Sequence, residues 1–191
     1  MISFRLGRTC VFVSFSFFAV LCLYFQLGQD PRKAGCLWAA LLHEGGHLAA
    51  FALQGAPPQE IHFGVGGIRL VSSEQPLSLP GELATLTAGA LVNFVCCGLF
   101  YLLGQPVGAA LHLCTGLFSL LPVPGLDGGE IAALLIESRF PQSEKAAARC
   151  LNLSAGVLCA LSLAACWRYR APGFGILAAA ILCAALCRKK A

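Results

Sequence analysis

The stretch His43-Glu44-Gly45-Gly46-His47 lies within a long apolar segment and decides how the rest of the chain is interpreted. Its two histidines are four residues apart, so on a helix both imidazoles stand on one face, as two neighbouring metal ligands must. The carboxylate beside the first histidine can reach a water molecule at such a metal without ligating the metal itself. Ionisable groups in an apolar helix are costly and mark functional sites by default. The motif therefore predicts a zinc centre, with His43 and His47 as ligands and Glu44 as the catalytic general base.

The composition indicates a membrane protein. Of the 191 residues, 58% are hydrophobic and 12% are charged, whereas soluble domains contain about half apolar and about a quarter charged residues. Lipid must therefore solvate much of the surface. The net charge of +4 comes from short basic clusters beside the apolar runs, which is typical of topology determinants and not of nucleic-acid binding. We expect residues 1–191 to form a single membrane-embedded domain with no appended soluble domain.

The apolar runs predict an all-α polytopic membrane protein with about six transmembrane helices. A spanning helix needs about 20 apolar residues, and runs of about that length cover residues 10–27, 34–53, 83–103, 107–121, 147–167 and 174–187. A further helix is expected over residues 129–138. Six spans place both termini on one side of the membrane, and the distribution of lysine and arginine predicts that this side is the cytoplasm.

A short β-hairpin is predicted between the second and third spans. Residues 61–71 alternate roughly every second position and have glycines in their middle, and prolines bound the segment on both sides. An exposed hairpin edge can pair with an extended peptide and add a strand to the sheet. Gly66 and Gly67 are therefore candidate substrate-binding residues, while a plain connecting loop remains the alternative.

A third metal ligand is sought among the carboxylates, because catalytic zinc usually has three protein ligands and one open position. The chain has only two aspartates, Asp30 in a charged loop and Asp127 at the end of the fourth apolar run. The surrounding residues 120–129 contain two prolines and three glycines, which oppose a regular helix. Irregular backbone at membrane depth is tolerated where it is buried in protein or lines a wet cavity. Asp127 is therefore the predicted third ligand of one Zn²⁺ ion.

Taken together, these stretches resemble the site-2 protease family of intramembrane zinc metallopeptidases. The resemblance rests on residues 43–47, on Leu126-Asp127-Gly128-Gly129, and on residues 88–93, which are similar to the family's Ala-Gly-Pro-x-x-Asn stretch. It implies a zinc site within the bilayer and cleavage of a membrane-bound substrate in or near its transmembrane segment. The small bacterial branch related to a sporulation protease is the nearest likeness. It implies a multi-pass protein of the bacterial cell membrane that cleaves a pro-sigma or anti-sigma factor and has a regulatory membrane partner.

Three positions depart from the family pattern. Ser119 stands where the family usually has asparagine, Ala90 replaces the usual proline of the middle stretch, and Gly125 replaces a frequent second proline. The family asparagine is thought to help hold the substrate strand, so Ser119 is a candidate substrate-binding residue with a weakened or relocated role. Asn93 is a second candidate, which either orients a substrate backbone or the zinc water, or packs against another helix.

The remaining polar residues are interpreted as structural. His62 and His112 are expected to be satisfied histidines without a metal. The eleven cysteines include no Cys-x-x-Cys pair and are interpreted as buried, reduced hydrophobic residues. A metal transporter or a non-catalytic scaffold derived from the same fold is the alternative function. A transporter would normally show paired broken helices in two repeats, and a scaffold would tolerate loss of Glu44.

Overall fold

The computed structural model describes residues 1–7, 9–26, 30, 32–64, 67–71 and 77–187. Its strands are β1 (Ile2–Leu6), β2 (Thr9–Val13), β3 (Glu60–Gly64) and β4 (Gly67–Val71). Its helices are α1 (Phe15–Gln26), α2 (Arg32–Leu53), α3 (Leu79–Leu102), α4 (Pro106–Ser119), α5 (Asp127–Arg139), α6 (Glu144–Tyr169) and α7 (Pro172–Cys187). The contacts divide the chain into two compact units, Met1–Phe118 and Ser119–Ala191.

Three of these helices, α2, α3 and α6, are long and apolar enough to cross a membrane. The apolar helices α1, α4 and α7 have 12, 14 and 16 residues. At 1.5 Å per residue they are about 18 to 24 Å long, which is less than the roughly 30 Å hydrocarbon core. The prediction of a membrane protein agrees with this arrangement. Six full-length spans are not confirmed, because the described part of the chain contains three.

A four-stranded sheet in the first unit is the main difference from the sequence prediction. The predicted hairpin is confirmed as the antiparallel pair β3 and β4, but two N-terminal strands extend it in the order β1-β2-β3-β4. The beginning of the first apolar run is therefore strand β2 and not helix. Strand β2 runs parallel to β3, with Val11 opposite Ile61 in its register, and both of these side chains are buried. The polar Thr9 is accommodated because its hydroxyl donates to the Pro58 carbonyl at 2.7 Å.

Helix α2 packs against α3 through small residues. A Cβ atom added at Gly46 would lie 2.7 Å from the Ala88 carbonyl oxygen and 2.9 Å from a methyl group of Val92. Ala39 and Ala90 are also buried. Small side chains let helix backbones approach closely in membranes. Gly46 therefore fixes the separation of α2 and α3 next to the two histidines.

In the second unit, α6 packs against α5 and α7, and an irregular segment precedes α5. Gly125 in this segment has φ +85°. Proline is locked near φ −65°, so the proline that the resemblance leads us to expect at this position is incompatible with the backbone. Helix α5 begins at Asp127, two residues before the predicted start at residue 129.

The described cysteines are not uniformly buried. Five of them, namely Cys22, Cys36, Cys114, Cys150 and Cys183, are exposed. The interpretation of the cysteines as buried was therefore wrong for these five. An apolar environment accepts a thiol at an exposed position, since a free cysteine behaves as a small hydrophobic residue.

Candidate metal centre

The two histidines of α2 face one another at their Nε2 atoms. His43 Nε2 and His47 Nε2 lie 3.1 Å apart, and the two rings are nearly perpendicular, at 82°. Each residue is 7% exposed. Two nitrogens that bind one zinc ion at about 2.0–2.1 Å in tetrahedral geometry are separated by roughly 3.3 Å. The helical spacing has therefore placed both Nε2 atoms at a separation that suits a shared metal ion.

His47 is oriented by a backbone carbonyl of the neighbouring helix. Its Nδ1 donates to the Thr85 carbonyl oxygen at 2.7 Å. A carbonyl can only accept, so it places the proton on Nδ1 and leaves a lone pair on Nε2. The Thr85 hydroxyl donates to the Gly81 carbonyl at 3.0 Å and accepts from Gln54 Nε2 at 2.8 Å. These bonds hold the Thr85 segment of α3 against the end of α2.

Gly89 of α3 lies directly against both imidazoles. A Cβ atom at this position would be 2.5 Å from His47 Nε2 and 2.7 Å from His43 Nε2, closer than real Cβ contacts allow. Any side chain at residue 89 would displace the histidine rings. The sequence singled out the Ala88-Gly89 pair only through a resemblance, and the structure supplies the steric reason for the glycine.

His43 is contacted on its other nitrogen by Asn93. The Asn93 Nδ2 lies 3.1 Å from His43 Nδ1, and the Asn93 Oδ1 lies 2.9 Å from the Nδ1 of His112 on α4. Asn93 is fully buried and His112 is 3% exposed. Both polar atoms of the amide are thus used by imidazole rings, a placement that favours support of His43 over contact with a substrate. The expected satisfied state of His112 agrees with this bond, but no sequence pattern linked it to the predicted metal ligands.

Asp127 is the first residue of α5 and follows a segment with its own hydrogen bonds. Val123 N–H donates to the Leu121 carbonyl at 2.7 Å, and Leu126 N–H donates to the Val123 carbonyl at 3.1 Å. The Ser154 hydroxyl of α6 donates to the Pro122 carbonyl. These bonds hold the backbone on both sides of a tight turn. They therefore fix the backbone position of Asp127 at the start of α5.

Gly129 completes this arrangement in the first turn of α5. A Cβ atom there would lie 2.0 Å from the Val123 carbonyl oxygen, so a side chain at this position requires the backbone itself to move. The glycine that follows Asp127 by two residues therefore allows α5 to begin against the irregular segment. Its role is steric and concerns the backbone, whereas Gly89 makes room for side chains.

His43, His47 and Asp127 are the candidate metal ligands, and each offers one ligand atom. Two imidazole nitrogens and one carboxylate oxygen are a donor set that zinc accepts, and three protein ligands leave one position open. The residues present therefore fit the cofactor that the sequence predicted.

The other predicted site residues have different placements. Glu44 lies on α2 beside His43 and is half-buried. Ser119 is the last residue of α4 and is buried. Gly67 is the first residue of β4 and pairs with Gly64, whereas Gly66 lies outside the described residues. Within the described ranges, β4 is an edge strand of the sheet.

Comparison with known proteins gives a likeness to a solved structure. No protein-family model matches the chain, and no curated protein matches it. The structure is similar to that of a site-2 protease from Methanocaldococcus jannaschii, with a TM-score of 0.65 and 19% sequence identity. The match covers 97% of this chain and 92% of the other. At this identity the likeness shows a shared fold.

Proposed function

We propose that the chain is a zinc-dependent intramembrane endopeptidase of the site-2 protease family, hydrolysing a peptide bond in or near a transmembrane segment of a membrane-bound substrate. The observation that carries the proposal is the pair of imidazoles on α2, because the Nε2 atoms of His43 and His47 lie 3.1 Å apart, while Asp127 is the proposed third ligand. The fold shared with a site-2 protease supports the same assignment. The apolar helices that could cross a membrane support a site at membrane depth.

His43, His47 and Asp127 would hold the metal. Zinc bound in this way polarises a substrate carbonyl and lowers the pKa of water. Glu44 acts as the general base: its carboxylate takes a proton from the attacking water and returns it to the departing amine. Gly89 keeps the two rings at their separation, and the Thr85 carbonyl holds the His47 proton on Nδ1. The protein thereby fixes which nitrogen of His47 carries the lone pair before any substrate arrives.

The substrate must enter as an extended chain, because a peptide bond within a helix is shielded by its own turn. Strand β4 is an edge in the described part of the sheet and exposes backbone groups to which an extended segment can add. Gly67 at the start of this strand, its sequence neighbour Gly66, and Ser119 are the proposed substrate contacts. Substrates would carry helix-weakening residues such as glycine or proline near the cleaved bond.

The experiment compares peptide termini in membranes of cells that produce the wild-type protein or Glu44→Gln. New termini inside predicted membrane segments should appear with the wild type and be lost with Glu44→Gln, since removal of a general base costs about 10²- to 10⁴-fold. The purified Glu44→Gln protein should retain zinc, because this side chain is not a ligand. Glu137→Gln, at an exposed position of α5, is the matched control and should cleave normally.

Two outcomes would reject the proposal. Equal sets of termini from the wild type and Glu44→Gln would indicate a scaffold, and purified wild-type protein without stoichiometric zinc would remove the metal centre.

The transporter alternative predicts that zinc uptake by cells depends on His43, and unchanged uptake in His43→Ala cells would exclude it. Membrane proteins that co-purify with Glu44→Gln would identify the substrate. Location in a bacterial membrane, a regulatory partner and a sporulation-type substrate stay predictions of the resemblance, and cytoplasmic termini stay a prediction from the distribution of lysine and arginine.

A further inference from the structure

We propose that His112 is a positioning residue of the metal centre, which keeps the Asn93 amide hydrogen-bonded in the orientation that leaves a lone pair on His43 Nε2. The inference rests on the proposed function, because it requires His43 to bind a metal through Nε2. It assigns a role to a histidine that lies on a different helix from the predicted ligands.

Three side chains on three helices form a continuous buried chain. His43 on α2 contacts Asn93 on α3 at 3.1 Å, and Asn93 contacts His112 on α4 at 2.9 Å. The His112 ring stacks on Phe100, with centroids 5.3 Å apart and planes at 19°. It also lines a cavity of 590 Å³ whose other walls include Trp38 and Leu111. The ring is therefore held in place by packing as well as by its hydrogen bond.

The amide couples the two rings because its ends are complementary. In the structure Asn93 Nδ2 donates to His43 Nδ1, and His112 Nδ1 donates to Asn93 Oδ1. A neutral His43 that accepts at Nδ1 carries its proton on Nε2, the atom that faces His47. That arrangement leaves Nε2 without the lone pair that a metal needs.

A half turn of the Asn93 amide gives the metal-binding arrangement. Oδ1 then accepts from His43 Nδ1–H, and His43 Nε2 is left with a lone pair. Nδ2 now faces His112 Nδ1 and donates to it, so the proton of His112 is on Nε2. Each ring exchanges one proton between its own nitrogens through water, and the total number of protons and the net charge do not change.

His112 suits this role because its Nδ1 can either donate or accept. His47 has no such freedom, since the Thr85 carbonyl that orients it can only accept. The two ligands are thus supported differently. The Thr85 carbonyl fixes the ring proton of His47 on Nδ1, whereas the ring proton of His43 depends on the orientation of the Asn93 amide, to which His112 is hydrogen-bonded. An apolar residue at position 112 would leave one end of the Asn93 amide without a bond in a buried site.

The first test measures zinc affinity of the full-length protein in detergent, by competition with a chromogenic chelator. His112→Leu should weaken binding about 10- to 100-fold, the range for loss of a hydrogen bond that supports a ligand. His112→Asn places an amide near the position of Nδ1, can donate or accept, and should stay within about threefold of the wild type. His62→Leu is the matched control, since His62 bonds to Glu60 on the sheet, and it should leave affinity unchanged.

A double-mutant cycle separates positioning from general destabilisation. If His112 acts through Asn93, the effect of His112→Leu should vanish when Asn93→Leu is already present. If His112 only contributes packing, its effect on zinc affinity should be the same in both backgrounds. Thermal unfolding of each variant should be recorded alongside, because a loss of affinity that merely follows a loss of stability would also overturn the proposal.

The second test observes the protons directly. The chain has only four histidines, so the ring ¹⁵N resonances of labelled protein can be assigned by single substitutions. Zinc should move the proton of His43 to Nδ1 and that of His112 to Nε2, while His62 should not respond. A His112 ring whose tautomer is the same with and without zinc would overturn the inference.

The two proposals fail in distinguishable ways. Normal zinc binding by the wild type together with unchanged affinity in His112→Leu would overturn the role of His112 and leave the metallopeptidase intact. Absence of zinc binding by the wild type would overturn both.

Discussion

The candidate ligands come from two regions that are built on opposite principles. His43 and His47 stand on regular helix α2, where the spacing of four residues places both rings on one face with their Nε2 atoms 3.1 Å apart. Asp127 follows irregular backbone that needs its own hydrogen bonds and a left-handed glycine, Gly125 at φ +85°. On the helix, periodicity places the ligands and neighbouring side chains adjust them. In the segment before α5, the backbone conformation itself places the ligand.

This difference indicates how well each region should tolerate substitution of its glycines. Near the histidines, the atoms closest to Gly89 are those of side-chain rings, which can rotate away. Near Asp127, the atom closest to Gly129 is a backbone carbonyl oxygen of a buried residue, which cannot move without its neighbours. We therefore expect changes beside α2 to impair the metal more than the fold, and changes beside α5 to impair both.

The largest effect is expected for Asp127→Asn. Loss of the only predicted anionic ligand should lower zinc affinity beyond the roughly 100-fold upper range for residues that merely support a ligand. Cleavage should be abolished. Chelator competition on purified protein measures the first, and the membrane terminus comparison measures the second. The chain's other aspartate supplies the control: Asp30→Asn, at an exposed bond to the Arg32 N–H, should bind zinc normally. Equal affinity in the two variants would remove Asp127 from the metal centre.

The next effect is expected for Gly129→Ala. Its methyl group would meet the Val123 carbonyl oxygen at 2.0 Å, so the free energy of unfolding should fall by about 3 kcal/mol, the upper range for overpacking. Zinc affinity should fall with it. Denaturant unfolding in detergent provides the measurement, and Gly156→Ala, where a Cβ meets nothing within 4 Å, provides the control. A variant as stable as the control would show that the segment before α5 adapts readily.

Gly89→Ala should separate metal binding from stability. The two rings can turn away from the added methyl group, so we expect a loss of only about 1 kcal/mol in unfolding free energy, the lower range for overpacking. Displaced Nε2 atoms should nevertheless weaken zinc binding by about 10-fold or more. Gly98→Ala on the same helix faces open space and should lower neither quantity, because alanine is the better helix former. If Gly89→Ala lost stability as Gly129→Ala does, the contrast between the two regions would be wrong.

The smallest effect is expected for Thr85→Val. The substitution removes the hydroxyl that bonds to Gly81 and Gln54 but keeps the carbonyl that orients His47. Stability should fall by about 1 kcal/mol, the usual contribution of a hydrogen bond. Zinc affinity should stay within about threefold, because the supporting carbonyl remains. A larger loss of affinity would mean that the hydroxyl, and not the backbone, orients the ligand.

The sequence predicted those features that depend on periodicity. The second, third and fifth apolar runs became α2, α3 and α6, and the His-x-x-x-His spacing gave the facing imidazoles, because a helix repeats every 3.6 residues whatever its surroundings. Asp127 was found by a different argument, from the scarcity of aspartates and the density of glycine and proline around it. The chemistry of that argument is that one carboxylate oxygen and two imidazole nitrogens are a donor set that zinc accepts.

The features that the sequence did not predict depend on contacts between distant segments. The bond from Asn93 to His112 joins two helices and leaves no pattern in either one. Four residues of strand β2, Cys10 to Val13, were assigned to a helix because apolar residues shortly before a helical run look like its first turn. Only the pairing with β3 distinguishes the two interpretations, and that partner is contributed by residues beyond α2.

The parallel pairing of β2 with β3 also sets an order of assembly. Thr9 and Pro58, which meet at the beginning of this pairing, are 49 residues apart in sequence, and both α1 and α2 lie between them. Closing a loop of that length lowers the conformational entropy of the chain before the hydrogen bonds between the two strands can compensate for it. During synthesis β2 therefore cannot pair with β3 until α2 has left the ribosome. His43 and His47 have then been synthesised before the four-stranded sheet is complete.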